Sequence, residues 1–362
     1  MRNIANTIKR LNEQRRLSQT TGTKSNTRLR ILPDFGSNPG DLLAWTYIPK
    51  TFEPGSPLVV VLHGCTQTAA DHENGSGWSD LADRYGFALL FPEQQRKNNP
   101  NLCFNWFATE DTTRGQGEVH SISQMIEVLR DRLSIHPAKI YVTGLSAGGA
   151  MAAAMLATYP EMFKGGAIIA GLPYGSASSI PEAFDRMRGH GLQESHVLAD
   201  RVRRASDYQG PWPSISVWHG TADRTVDPIN MEAILGQWCG LHGFDQTPNT
   251  GMLNGHPVRR WSNTEGTAVV EAYTINGMGH GTPLKGVGEN SYGSPRPFML
   301  DVGISSTWHI ANSWGLLENE RTPIVEQETN AISHQEPETP RHANRTVSGV
   351  IEDALRTAGL LK

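Results

Sequence analysis

Ser146 stands in Gly144-Leu145-Ser146-Ala147-Gly148, with a short strand-like run at 139–142 before it and an Ala/Met-rich stretch to about Tyr159 after it. That order of strand, sharp turn and helix lifts a serine hydroxyl clear of the backbone, where a general base can reach it. Small residues at 144 and 148 suit a turn whose serine carries strained dihedrals and whose helix packs closely on the strand. A serine that merely caps a helix would give the same local pattern, so the reading depends on partners elsewhere in the chain. A base is offered by His280, in Asn276-Gly277-Met278-Gly279-His280-Gly281, and an acid to orient it by Asp223, in His219-Gly220-Thr221-Ala222-Asp223. Asp227 competes for the acid's role, but Asp227-Pro228 before a helical segment is explained by capping alone. Donors for an oxyanion are expected from the backbone N–H groups of Ala147 and of Cys65, the latter in His63-Gly64-Cys65-Thr66-Gln67. His63 itself reads as a structural histidine.

These residues need a scaffold that brings distant loops together. Pro57 to Leu62 is an unalternated apolar run, as expected of a strand covered on both faces of a parallel sheet. Helix and strand then alternate. Helices are expected at Trp78–Tyr85, Gly117–Ile135 and Ala147–Tyr159, and strands at Phe87–Phe91, Ile140–Thr143 and Ala167–Ala170. In the longest helix Val119, Ile122, Met125, Ile126, Leu129 and Leu133 mark one apolar face. This rhythm predicts an α/β fold: a doubly wound, mostly parallel sheet with helices on both faces. Loops beyond the carboxyl ends of such strands meet at one rim, and the order Ser, Asp, His is the one used by α/β-hydrolases. Between 172 and 214 the rhythm breaks into a polar stretch with helices near Pro181–Arg188 and Val197–Ala205, expected to form a lid or wall. Strands resume at Ile215–Trp218 and Val269–Ile275, and helices at Met231–Leu241 and Gly303–Trp314 close a catalytic domain spanning 28–317. An opening hairpin is expected around the turn-rich 34–40. Residues 1–27 read as a helical appendage and link, and 318–362 as a polar linker ending in an amphipathic helix.

A chain of 362 residues has room for this one domain and its appendages. Net charge is −4 with 19% charged residues, which gives no ground for a nucleic-acid partner and favours a neutral or weakly charged substrate. Cys65, Cys103 and Cys239 show no metal-ligand spacing, and no motif calls for a metal or a cofactor. No run approaches the ~20 apolar residues of a transmembrane helix. With no export signal legible in the first thirty residues, a cytoplasmic address is the expectation.

The strings His63-Gly64-Cys65-Thr66-Gln67, Phe91-Pro92-Glu93-Gln94-Gln95, Cys103-Phe104-Asn105-Trp106-Phe107, Gly144 to Gly149, Ala170-Gly171-Leu172-Pro173-Tyr174-Gly175 and Gly279-His280-Gly281-Thr282-Pro283 together resemble the polyhydroxybutyrate (PHB) depolymerase family of esterases, over roughly Leu29 to Leu317. The resemblance implies an α/β-hydrolase fold and serine esterase hydrolysis of short hydroxyalkanoate esters, with Ser146, Asp223 and His280 on the family's triad. Relatives that cleave feruloyl or acetyl groups from plant polysaccharides are the alternative, and a non-catalytic granule-binding protein is a second one. The aromatics Phe104, Trp106 and Phe107, with Tyr174, are expected to line the acyl pocket, at least one of the first three being core instead. Cys65 and Cys103 are expected to lie close together as free thiols, since a disulfide would contradict a cytoplasmic address. The end helices offer apolar faces to a polymer granule surface.

Overall fold

The computed structural model describes residues 27–318. The appendage expected at 1–27 and the linker and helix expected at 318–362 therefore lie outside the described residues, save one residue at each junction.

Leu58–Leu62 (β3) is the strand around which the sheet is laid down, and all five of its residues are buried. Its side chains alternate between two cores: Leu58, Val60 and Leu62 enter one, Val59 and Val61 the other. Such two-sided burial explains why the run shows no polar alternation. Each of those aliphatic side chains contributes on the order of 1.5–3 kcal/mol by leaving water. β3 pairs in parallel with Ala88–Glu93 (β4) on one side and Ile140–Leu145 (β5) on the other. Gly165–Ile169 (β6), Ser214–Gly220 (β7) and Ala268–Ile275 (β10) continue the parallel run. The ten-stranded order is β1-β2-β4-β3-β5-β6-β7-β10-β9-β8, the edges being antiparallel: Arg30–Ile31 (β1) with Leu43–Tyr47 (β2), and Asn249–Leu253 (β8) with His256–Ser262 (β9).

The helices cover the two faces. Ala69–Ser76 (α1), Trp78–Tyr85 (α2) and the short Thr109–Thr112 (α3) precede Gly117–Leu133 (α4), whose Val119, Ile122, Met125, Ile126 and Leu129 form the expected apolar face in the first core. Ala147–Thr158 (α5) is buried along its whole length. Its Ala and Gly residues let it lie close on the sheet, where a larger side chain would collide. On the opposite face Trp314 stacks between Tyr141 (4.7 Å) and Trp78 (5.9 Å), just after the closing helix Ser306–Ser313 (α9).

The 172–214 insertion holds Ile180–Met187 (α6) and Ser195–Arg203 (α7). It is pinned to Ile229–His242 (α8): Gln237 accepts from the Tyr174 N–H and donates to the Tyr174 and Leu198 carbonyls, and Asn230 donates to the Arg186 carbonyl. Leu198, Ala199 and Val202 are buried, so this segment is a packed wall.

Among the elements that carry no sequence expectation are a helix and a hairpin. α1 has a capping box, Thr68 with Asp71, yet buries His72 and Glu73 in place of an apolar stripe. The β8–β9 hairpin turns at Asn254-Gly255, both at positive φ, and β8 is largely exposed.

Candidate active site

Ser146 joins β5 to α5 at φ 58° and ψ −117°, a conformation that costs of order 1–3 kcal/mol in a non-glycine residue. The turn is over-determined by its neighbours. A Cβ on Gly144 would lie 2.2 Å from the Gly148 carbonyl oxygen, and one on Gly148 would lie 2.4 Å from both the Leu62 and His63 oxygens. The Ser146 N–H donates to the Ile169 carbonyl at 2.8 Å, tying the elbow to the end of β6. Glycine at 144 and 148 is thus required by backbone approaching backbone, as the sequence pattern implied.

β10 runs parallel to β7 with Ile275 opposite Gly220, so the loops carrying His280 and Asp223 leave the sheet side by side. They are stitched together: the Ala222 N–H donates to the Met278 carbonyl and the Gly277 N–H to Thr221 Oγ1. His280 Nε2 lies 2.9 Å from Ser146 Oγ, and His280 Nδ1 lies 2.7 Å from Asp223 Oδ2. All three side chains are buried. Asp223 Oδ1 accepts from the N–H groups of Thr225 (2.8 Å) and Val226 (3.0 Å). Burial opposes ionisation of Asp223, but the positive charge available on His280 and hydrogen bonds from His219 and His280 outweigh it and hold the carboxyl well below its usual range. The arrangement leaves a histidine nitrogen free of other work and aimed at a serine hydroxyl.

His219 was not assigned a role by sequence. It is buried, with Nε2 between the Val226 carbonyl (3.1 Å) and Asp223 Oδ2 (3.3 Å), and so helps aim the carboxylate. Its position four residues before Asp223, at the end of a buried strand, was the available signal. Asp227 Oδ1 accepts from the Ile229 N–H at 3.1 Å, the first residue of α8, which is the capping role expected of it.

The backbone N–H groups of Ala147 and Cys65, the two expected oxyanion donors, have no acceptor among the described residues. The first opens α5; the second lies in the loop after β3, whose Leu62 pairs with Gly144. His63 is engaged at both ring nitrogens: Nδ1 donates to the Gly64 carbonyl (2.9 Å) and Nε2 accepts from the Gln94 N–H (3.1 Å). Burial lowers its pKa to about 4, so it is a neutral structural histidine. Gln67 Oε1 accepts from the Gly64 N–H (2.9 Å) and bonds His72 Nδ1 (3.2 Å), closing the loop.

The free-thiol expectation for Cys65 and Cys103 is corrected. They form a disulfide, with Cα atoms 4.2 Å apart and a separation of 38 positions in sequence. The Cys65 loop is thereby bonded to the segment carrying Phe104, Trp106 and Phe107, and Cys239 is the only free cysteine.

Of the four aromatics, Phe104 is fully buried with its ring 4.8 Å from that of His63, so it is core and presents no surface to a substrate. Trp106 retains 7% exposure and meets Phe107, half-buried, edge to face at 5.7 Å. Tyr174 lies in the wall of a cleft of about 390 Å³ bounded by α3 and the insertion, among Thr112, Ser176, Gln193 and Arg201. Its hydroxyl donates to the Thr112 carbonyl. Among the described residues no cluster of three His, Cys, Asp or Glu is set to hold a metal, and no helix is long and apolar enough to cross a membrane.

A mostly parallel sheet of this order, with helices on both faces and a serine elbow after its central strand, defines an α/β-hydrolase. The chain belongs to the esterase PHB depolymerase family, whose model matches residues 45–256, and it is a carboxylic ester hydrolase. It is 45% identical to poly(3-hydroxyalkanoate) depolymerase C of Paucimonas lemoignei over 292 residues, 80% of this chain and 70% of that one. It is 33% identical to an acetylxylan esterase of Coprinopsis cinerea over 266 residues, covering 72% of this chain and 70% of the relative. The solved acetyl xylan esterase from Aspergillus awamori superposes with a TM-score of 0.68 over 80% of this chain and 99% of that one, at 23% identity, which speaks to the fold.

Proposed function

We propose that this enzyme is a serine esterase that hydrolyses short hydroxyalkanoate esters, among them oligomers of 3-hydroxybutyrate, through an acyl-enzyme on Ser146. The observation that carries the mechanism is the hydrogen-bonded line from Asp223 through His280 to Ser146. Ser146 Oγ attacks the ester carbonyl carbon as His280 Nε2 takes its proton. The N–H groups of Ala147 and Cys65 receive the oxygen that becomes negative. The tetrahedral species then collapses, the C–O bond to the alcohol breaks, and His280 returns the proton to the departing oxygen. Water repeats the sequence on the acyl-enzyme and releases the acid. Asp223 keeps the Nδ1 proton in place throughout and stabilises the imidazolium.

The polyester substrate is favoured by the greater likeness to a poly(3-hydroxyalkanoate) depolymerase than to an acetylxylan esterase. Acetylated polysaccharide is the second reading, supported by that other set of relatives. The Cys65–Cys103 disulfide supports work in an oxidising compartment, against the cytoplasmic expectation. Adsorption to a polymer granule through the chain ends concerns residues outside those described.

The test is a comparison of kcat/KM on 3-hydroxybutyrate trimer, methyl ferulate and acetylated xylan, with Ser146→Ala as control. The trimer is expected to lead by at least about tenfold, equivalent to about 1.4 kcal/mol, with Ser146→Ala inert on all three. Equal or better rates on either alternative would remove the polyester assignment, and an active Ser146→Ala enzyme would remove the nucleophile.

A further inference from the structure

Glu118, the second residue of α4, is 1% exposed and takes no part in the line of Ser146, His280 and Asp223. Its Oε1 accepts from Gln94 Nε2 and Asn105 Nδ2, and its Oε2 from the Asn105 backbone N–H at 2.9 Å. A carboxyl group has the acceptor capacity for three converging donors, two on one oxygen and one on the other. Burial, and then the nearby Asp111, push its pKa well above the ordinary range, while those three hydrogen bonds pull the other way.

The donors begin two arms that end on the same loop. Along the first, Gln94 donates through its own backbone N–H to His63 Nε2, which leaves the ring proton on Nδ1, and Nδ1 donates to the Gly64 carbonyl. That carbonyl belongs to the same planar peptide unit as the Cys65 N–H, so fixing one end of the plane aims the other. Along the second arm, Asn105 is held two residues beyond Cys103, which is bonded to Cys65.

We propose that Glu118 is a positioning residue for ester hydrolysis: through Gln94 and His63 on one side, and Asn105 and the Cys65–Cys103 bond on the other, it fixes the Gly64–Cys65 peptide plane so that the Cys65 N–H meets the developing oxyanion. This rests on the assignment of that N–H in the mechanism above. The buried carboxylate thus supports the transition state at a distance, and substrate in its ground state gains little from it.

Glu118→Gln places an amide N–H against a donor and breaks one arm. Deleting an oxyanion donor outright costs about 10²–10³ in kcat, so a misaimed one is expected to cost ~10–100-fold, with KM for p-nitrophenyl butyrate within about threefold. The affinity for n-butylboronic acid, whose tetrahedral adduct on Ser146 puts an oxygen in the same place, is expected to fall by the same factor as kcat/KM. Gln94→Glu sets two carboxylates together and should lose activity similarly. Combined with Glu118→Gln it restores a donor–acceptor pair and should regain ~tenfold, a rescue that general loosening of the fold would not give. Unchanged kcat, a loss carried wholly by KM, or unchanged boronate affinity would overturn the proposal. Should Glu118→Gln fail to fold, Glu118→Asp, a carboxylate with shorter reach, is read by the same three outcomes. Retained activity in Ser146→Ala would instead strike the mechanism itself, so the two failures are distinct.

Discussion

Replacing Asp223 by asparagine changes one atom and, by the geometry around it, the whole protonation pattern of the site. Oδ1 is committed to the N–H groups of Thr225 and Val226, so the new amide must keep its oxygen there and turn its NH₂ toward His280. Facing a donor 2.7 Å away, His280 Nδ1 has to give up its proton and become an acceptor. The proton then sits on Nε2, which points at Ser146 Oγ across 2.9 Å and can no longer receive the serine's proton. A wrong tautomer of this kind costs about 10⁴ in kcat, or about 5.5 kcal/mol of barrier. KM should move little, since Asp223 is buried behind the imidazole.

The assay is steady-state hydrolysis of p-nitrophenyl butyrate, paired with thermal unfolding across pH. Asp223 is held below its usual value of 3.8, so its charge stabilises the fold above that pH, and the contribution is lost as pH falls through the lower folded value. The stability gap between wild type and Asp223→Asn should therefore be widest near neutrality and shrink in acid below about pH 4. Asp227→Asn keeps a capping side chain and should cost at most about 1 kcal/mol of stability and little rate. A near-native kcat for Asp223→Asn, or a greater loss in Asp227→Asn, would refute the reasoning.

Gly148→Ala drives a methyl to 2.4 Å from the Leu62 and His63 carbonyl oxygens, so circular dichroism and esterase assays should show loss of fold or of nearly all activity, whereas Gly255→Ala, with open space around it but φ +80°, should cost only about 1 kcal/mol. The double variant Cys65→Ser/Cys103→Ser opens a loop of 38 residues and should lower stability by about 4 kcal/mol in the loop-closure account, measured by urea titration, with kcat falling more than KM rises. Phe104→Ala should be destabilising by about 3–5 kcal/mol because its ring is wholly buried, while Phe107→Ala, half-buried, should alter acyl-chain preference across p-nitrophenyl esters at much smaller cost.

What could be read from sequence was what local chemistry dictates. Gly144, Ser146 and Gly148 form one turn whose spacing is its own signal. Asp223 and His280 were candidates because each follows a buried strand and loops at strand ends share a rim, and the structure brings both side chains into line with Ser146. The α4 face was legible because its apolar residues repeat at helical period. α1 was missed because its buried side chains, His72 and Glu73, are polar and break that period. β8 was missed because an exposed edge strand has no core face to pattern it. The three aromatics among residues 104–107 look alike in sequence, and only the docking of their loop on His63 decides that Phe104 is core. Glu118 was silent for a related reason: a polar residue at the start of an amphipathic helix reads as solvent-facing until the loops that cover it are known.

Cys65 and Cys103 were misjudged on a different ground: they were expected to lie close together, but as free thiols, because compartment was weighed above proximity. With the disulfide in place, the cytoplasmic expectation gives no ground for choosing between the two substrate classes. Polyester and acetylated polysaccharide then have to be told apart by the walls of the site alone. The proposed mechanism is indifferent to the choice, because it handles only the ester carbonyl and the serine's proton. We propose that discrimination falls to the Trp106–Phe107 edge, which offers apolar contact to an alkyl side group. On that proposal a hydroxyalkanoate oligomer, with a short alkyl branch in every unit, would present more apolar surface to this edge than the single methyl of an acetyl group.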